Sequence, residues 1–163
     1  MKFSLSREAL LKPLQLVIGV VERRQTLPIL SNVLFSLSDK NLSITGTDLE
    51  VEIVGLTAVS DSEEEGSVTI SARKTLDICR SLPEGATLKF SSSEGKASIQ
   101  SGKSKFMLST LPASEFPTVD EGEKSLEFSV SGKDLQKLIE STSFAMAQQD
   151  VRYYLNGMLW ELT

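Results

Sequence analysis

The sequence predicts an α+β protein built from a repeated unit of one strand, one helix and three strands, with antiparallel sheets, and three observations predict it. Short alternations of apolar and polar residues, bounded by Gly, Pro, Asn and Asp, recur along most of the 163 residues. An opening phrase, apolar, Ser or Thr, apolar, Ser, occurs as Phe3-Ser4-Leu5-Ser6, Val68-Thr69-Ile70-Ser71 and Phe128-Ser129-Val130-Ser131, each copy just ahead of helical periodicity. Sliding the chain by 125 residues aligns 2–37 with 127–162 without a gap; eight of 36 positions are identical, among them Leu10/Leu135, Lys12/Lys137, Leu30/Leu155 and Leu34/Leu159. Leu5/Val130, Leu14/Ile139 and Phe35/Trp160 exchange like for like.

Taken in order, Phe3 to Leu5 reads as a strand and Ser6 as the N-cap of a helix carrying Leu10, Leu14 and Val17 on one side. Pro13 lies inside that helix, where it removes a backbone donor and is expected to kink it or cost about 3 kcal/mol. A loop around Glu22 to Gln25 precedes strands at Ile29 to Leu37, Leu42 to Thr45 and Leu49 to Leu56. The acidic run Asp61 to Glu65, ended by Gly66, reads as a solvated turn. Val68 to Ile70 restarts the unit, with Ser71 as cap, a helix over Ala72 to Leu82 and a stop at Pro83-Glu84-Gly85. Thr87 to Ser91, Lys96 to Gln100 and Ser104 to Ser109 supply its three strands. The offset makes 1–122 a complete first domain and 123–163 the start of a second, joined through Pro117 to Lys124. The second copy stops after a strand, a helix and one more strand, so the chain is expected to be a fragment whose second apolar face lacks its cover.

Composition narrows the chemistry. The N-terminus has no signal-peptide h-region and no stretch is long enough to span a bilayer. A single Cys79 rules out an internal disulfide framework and fits a reducing, cytoplasmic compartment. There is no His, the commonest general base, so Cys79 between Ile78 and Arg80 reads as a small buried residue rather than an activated thiol. Asp48, Glu50 and Glu52 alternate and would share one strand face; a solvated face explains them better than a cation site, because EF-hand spacing is missing. No Gly-x-Ser-x-Gly elbow, Walker loop or dinucleotide loop occurs, which points to a non-enzyme needing no cofactor and no metal.

The net charge of −5 argues at first against nucleic acid, whose phosphates are held by Lys and Arg. Placement modifies that. On the three helical segments Arg7, Lys12, Arg73, Lys74, Arg80, Lys133 and Lys137 face only Glu8, Asp77, Asp134 and Glu140, a balance of +3, which leaves −8 for strands and loops. Such segregation suits a ring with a cationic inner face and an acidic outside, and equally suits ordinary scatter on helix surfaces. Arg24 and Gln149 occupy equivalent loop positions under the offset, as contacts to a polymeric ligand would.

Several phrases in order resemble one family, the beta subunit or sliding clamp of bacterial DNA polymerase III. They are Leu27-Pro28-Ile29-Leu30, Thr45-Gly46-Thr47-Asp48-Leu49-Glu50, Ala72-Arg73-Lys74, Asp77-Ile78-Cys79-Arg80, Leu82-Pro83-Glu84-Gly85, Leu108-Ser109-Thr110-Leu111-Pro112-Ala113 and Asp150-Val151-Arg152-Tyr153-Tyr154-Leu155-Asn156-Gly157-Met158. The resemblance implies the DNA-clamp fold, with helices lining the hole of a head-to-tail homodimeric ring and sheets outside. It implies a tolerated Pro13, and DNA contacts at Arg24, Arg73, Gln149, Tyr153 and Tyr154, the two tyrosines being equally readable as strand-start core aromatics. It implies a dimer contact through Lys74, Lys103, Lys105, Phe106 and Leu108 on an edge strand, with lysine where better-known clamps carry the bidentate arginine. Leu155 would wall a cleft for short peptides of the replicative polymerase, the clamp loader, repair polymerases and other clamp-binding-motif proteins. The implied function is processivity on double-stranded DNA of any sequence, in a cytoplasmic, nucleoid-associated protein with no membrane partner. The alternative is a repeat-built protein interaction scaffold with no nucleic-acid role, supported by the acidic charge.

Overall fold

A computed structural model describes residues 1–21, 27–118 and 127–161. The chain divides into two compact units, Met1–Asp120 and Glu121–Thr163. Among the described residues the first unit contains nine strands: β1 (Lys2–Ser6), β2 (Asn32–Ser38), β3 (Asn41–Thr47), β4 (Glu52–Ala58), β5 (Asp61–Glu64), β6 (Gly66–Ser71), β7 (Thr87–Ser93), β8 (Lys96–Ser101) and β9 (Ser104–Leu111). Two helices, α1 (Arg7–Val17) and α2 (Ala72–Ser81), follow β1 and β6. All pairings are antiparallel and the sheet order is β4-β3-β2-β6-β9-β8-β7-β1-β5.

Alternation decides what each strand buries. Phe3 and Leu5, Val33, Phe35 and Leu37, Leu42 and Ile44, Leu88 and Phe90, and Ala97 and Ile99 point inward, while their neighbours alternate to the other face, where most are partly or fully exposed and Asn32 and Thr45 are buried. Phe3 stacks on Phe90, its partner across β1 and β7, with ring centroids 4.8 Å apart. Phe35 lies 5.6 Å from the same Phe90, although three strands separate β2 from β7 in the sheet. On a flat sheet with strands about 4.8 Å apart that separation would be near 19 Å, so the sheet folds back and both halves share one core. The fold runs through the β6–β9 seam, which has only two register pairs, Thr69–Leu111 and Ile70–Thr110. Buried Thr69 reinforces it: its hydroxyl donates to Leu111 O at 3.0 Å and accepts from Asn32 Nδ2 at 3.1 Å.

The helices lie side by side on this core, through Leu10, Leu14 and Val17 from α1 and Leu76, Ile78 and Cys79 from α2. Ser6 caps α1 as expected, its Oγ accepting from Ala9 N at 3.2 Å. Pro13 does not interrupt α1; it is buried against Gly55 of β4. A Cβ at Gly55 would sit 2.6 Å from the Pro13 Cβ, so the glycine makes room for the ring. Ser71 does not cap α2 through its side chain; instead Thr75 Oγ1 donates to Ser71 O at 2.7 Å. Arg7 ties the helices together, donating from Nε to Cys79 O at 2.7 Å and from Nη1 to Glu8 at 3.0 Å. Glu8 also accepts from Gly85 N at 3.1 Å, and this backbone donor is the chief reason its carboxyl lies below the usual range.

Four expectations need correction. The acidic run is a strand, β5, which pairs with β1, with Glu64 3.3 Å from the Met1 ammonium; hydrogen-bonding complementarity to β1 overrides poor strand propensity at this edge. Pro28–Ser31 is a 3-10 turn, so β2 begins at Asn32. Strand β4 begins at Glu52 because Asp48 accepts from Glu50 N at 2.9 Å and Val51 N at 2.7 Å, with Leu49 at φ +81, so the three acids do not alternate along one strand. Those two donors hold the Asp48 carboxyl below its ordinary range. In the second unit, among the described residues, the only α-helix is α3 (Gly132–Thr142), and neither expected strand forms. Residues 127–131 have no ladder, and the segment around Leu155 is a 3-10 turn, Tyr153–Asn156, followed by irregular backbone. A strand cannot satisfy its backbone groups without a neighbour, whereas a helix satisfies them internally.

Candidate nucleic-acid and subunit interfaces

The residues expected to touch DNA fall at two places. Arg73 is the second residue of α2, half-buried, and its Nη2 donates to Val21 O at 3.3 Å. Its Nε is buried with no hydrogen-bond partner among the described residues, an orphan donor on a charged group. Arg24 lies outside the described residues.

Gln149, Tyr153 and Tyr154 belong to one loop of the second unit, and Asp150 organises it. The Asp150 carboxylate accepts from Arg152 N at 2.8 Å, Nε at 3.1 Å and Nη2 at 3.0 Å. Asn156 closes the loop by accepting from Asp150 N at 3.0 Å and donating to Asp150 O at 3.1 Å. The guanidinium lowers the Asp150 carboxyl and the carboxylate raises Arg152 in return. Gln149 takes φ +58, a left-handed conformation uncommon outside Gly and Asn, and its side chain is exposed. Tyr153 and Tyr154 are 83% and 67% exposed and meet edge to face, centroids 5.9 Å apart, so neither is a core aromatic of a strand start. Leu155, more covered at 37%, donates from its N–H to Arg152 O at 2.9 Å and borders a shallow depression of about 280 Å³ with Met146, Tyr154 and Met158. The sequence reading missed the Asp150–Arg152–Asn156 clasp; an Asp two residues before an Arg and six before an Asn was its signal.

The second constellation is β9. By sheet order it is an interior strand, not an edge; yet it pairs with β6 only at Thr110 and Leu111, so Ser104 to Ser109 bond β8 on one side and, among the described residues, have no strand partner on the other. Phe106 and Leu108 face the core, half-buried, whereas Lys105 points to the opposite face and Lys103 sits in the β8–β9 turn. Lys74 of α2 and Leu108 line one cleft of about 360 Å³ beside the seam, together with Pro28, Asn32 and Thr110. The five residues named for a subunit contact thus surround one open backbone edge, with apolar groups on one face and ammonium groups around it.

Charge is less segregated than the sequence count suggests. Arg7 is engaged by Glu8 and Cys79, which leaves Lys12, Lys74 and Arg80 as the exposed cations of α1 and α2. Acid is concentrated at β5, while β7, β8 and β9 contain none. Cys79 is fully buried, and burial pushes its thiol up to about 11, which makes it inert at neutral pH. Among the described residues no cluster of three or more acidic, His or Cys side chains is arranged to hold a metal, and no helix is long and apolar enough to cross a membrane.

A folded-back antiparallel sheet carrying paired helices, in a strand–helix–strand repeat, defines the class. Residues 1–120 match the family model for the DNA polymerase III beta subunit N-terminal domain and residues 129–163 that for its central domain, so the chain belongs to the DNA polymerase III beta subunit family. The beta sliding clamp of Pseudomonas aeruginosa is 59% identical over 162 residues, 99% of this chain and 44% of the relative. That of Escherichia coli is 51% identical over 161 residues, with the same two shares. A crystal structure of the Pseudomonas aeruginosa sliding clamp bound to griselimycin superposes with a TM-score of 0.93 at 59% identity, over 97% of this chain and 43% of that one. The Caulobacter crescentus beta subunit gives 0.91 at 41% identity, over 96% and 42%. The chain therefore spans less than half the length of the relatives it matches.

Proposed function

We propose that the chain forms the first domain and the beginning of the second of a sliding clamp, a processivity factor that encircles duplex DNA as a head-to-tail homodimer and tethers the replicative polymerase. The observation that carries this reading is the family match along both units, at 59% identity to a beta sliding clamp. In this reading the first domain ends near residue 122. Arg24, Arg73, Gln149, Tyr153 and Tyr154 meet the DNA. They are cations, an amide and phenols, groups that grip phosphates without reading bases, so the protein holds the duplex and still slides.

The open edge of β9 receives the partner subunit. Backbone pairing along Ser104 to Ser109, apolar contact at Phe106 and Leu108, and Lys74, Lys103 and Lys105 set against acidic groups would close the ring. Lysine supplies point charges without arginine's fork, which makes this contact strongly salt-dependent. Leu155 forms one wall of the site for clamp-binding peptides of the polymerase, the clamp loader and repair polymerases. The protein does no chemistry and needs no cofactor; it acts in the cytoplasm on the nucleoid, with no membrane partner, by raising the effective concentration of polymerase at the primer end.

The test is retention of the full-length protein on nicked circular DNA, loaded with clamp loader and ATP, before and after the circle is cut. Retention on the circle and release on linearisation is expected. Equal retention on both forms would reduce the protein to a surface binder, and no retention would favour the interaction scaffold.

A further inference from the structure

The sheet face turned away from the helices carries a cationic patch that the clamp reading leaves largely unused. Strands β7, β8 and β9 contain no Asp or Glu, and Lys89, Lys96 and Lys105 all point to this face, opposite the core residues Leu88, Phe90, Ala97 and Ile99. Register aligns them. Ser4, Lys89, Gln100 and Lys105 form one cross-strand row, and Lys2, Ser91, Ser98 and Met107 the next. With strands about 4.8 Å apart, Lys89 and Lys105 stand about 10 Å from each other, and Lys2 is a diagonal neighbour of Lys89.

All four lysines are exposed, and among the described residues none has a carboxylate within ion-pair distance. The nearest acids border the patch: Asp61 and Glu63 beyond Lys2 on β5, and Glu94 in the β7–β8 turn. Between Lys2 and Lys89 a shallow depression of about 250 Å³ has the short hydroxyls Ser4, Ser91 and Ser98 on its floor and Asp61 and Glu63 on its β5 side. Across β7, β8 and β9, where no acid intervenes, Lys89, Lys96 and Lys105 give a chain of net charge −5 a locally cationic surface.

We propose that this face docks an extended Asp/Glu-rich segment of a partner protein. Carboxylates match the donors on offer, ammonium groups above and serine O–H groups between them. The reach of about 10 Å between Lys89 and Lys105 within one row matches a polyproline II segment, which rises about 3.1 Å per residue and returns every third side chain to the same side, crossing the strands. Nucleic acid fits less well, since the face has no arginine fork for phosphate and no aromatic ring for a base to stack on. Lys105 is shared with the subunit contact proposed above, whereas Lys2 and Lys89 belong to neither that contact nor the DNA contact, so variants at these two test the docking face apart from ring closure.

Fluorescence anisotropy of a labelled ten-residue Glu-rich peptide, titrated with the purified chain, tests it. Binding is expected at low salt and should weaken at physiological ionic strength. Lys2→Gln with Lys89→Gln should weaken it at least about five-fold, while Lys12→Gln with Lys133→Gln, the same change in net charge elsewhere, should leave it unchanged. No binding by the unaltered chain, or equal losses from the two double variants, overturns the proposal. So does a duplex oligonucleotide that binds more tightly than the peptide and depends on Lys2 and Lys89.

Discussion

The two units begin with the same sequence pattern and end in different states. In the first, Phe3, Leu5, Leu10 and Leu14 are buried to 3% or less. Their counterparts at the 125-residue offset differ sharply: Phe128 is 52% and Val130 45% exposed, and Leu135 and Ile139 are only half-buried. Phe35, at 0%, corresponds to Trp160 at 54%. The helices survive the difference. Ser131 caps α3 by accepting from Asp134 N at 3.1 Å, as Ser6 accepts from Ala9 N at 3.2 Å, at the same two offset positions. Helix and cap are local and need only their own residues; the strands and the core need neighbours, which the second unit does not supply among the described residues.

Truncating the apolar stripe should give the largest contrast. Leu14→Ala opens a cavity in a filled core and should cost about 2–5 kcal/mol in urea unfolding, while Ile139→Ala, in the half-buried position, should cost under about 1 kcal/mol. Equal costs would mean that the second unit is packed as tightly as the first. Gly55→Ala drives a Cβ into Pro13 and should lower stability by about 1–3 kcal/mol, against less than about 0.5 kcal/mol for Gly157→Ala, where nothing lies within 4 Å. A neutral Gly55→Ala would show that α1 can shift off β4 at little cost.

The caps sharpen the point from the other side. Ser6→Ala and Ser131→Ala should each cost about 1 kcal/mol of helix stability despite their unequal surroundings, the first read in global unfolding and the second as lost helicity by NMR. A cap effect confined to the first unit would tie even this local signal to packing. The smallest effect concerns pH. The Asp150 carboxyl is depressed in the folded loop, so its clasp on Arg152 is fully present above the ordinary carboxylate range and is lost as pH falls through the lowered value. The Arg152 Nε–H resonance should move toward its free position on acidification and stay there at all pH in Asp150→Asn; an unmoved resonance would mean the clasp adds no order to the loop.

Much of the first unit was legible because its signals are local or periodic: alternation located eight of its nine strands and both helices, and Ser6 announced its cap. The ninth strand, β5, was not legible. Asp, Ser and Glu have poor strand propensity, and only the free edge of β1 and the Met1 ammonium give Asp61–Glu64 a reason to extend. Pro13 read as a kink because its partner, Gly55, is 42 positions away along the sequence. At the candidate sites, residue identities came from ordered phrases, but their arrangement did not. Nothing in the pattern told Arg73 from Arg7 as cations, yet one keeps an orphan donor and the other is committed to Glu8 and Cys79.

The sequence by itself determined the repeat, the helices with the Ser6 cap, the inward face of the alternating strands and the absence of His, because each is written in residue types and short spacings. Tertiary structure alone decided the folding back of the sheet at Thr69 and the open edge of β9. It also decided the lysine rows on the face away from the helices. All three depend on which distant strands pair and in which register, and loop closure and backbone hydrogen bonding fix that choice only once the whole sheet assembles.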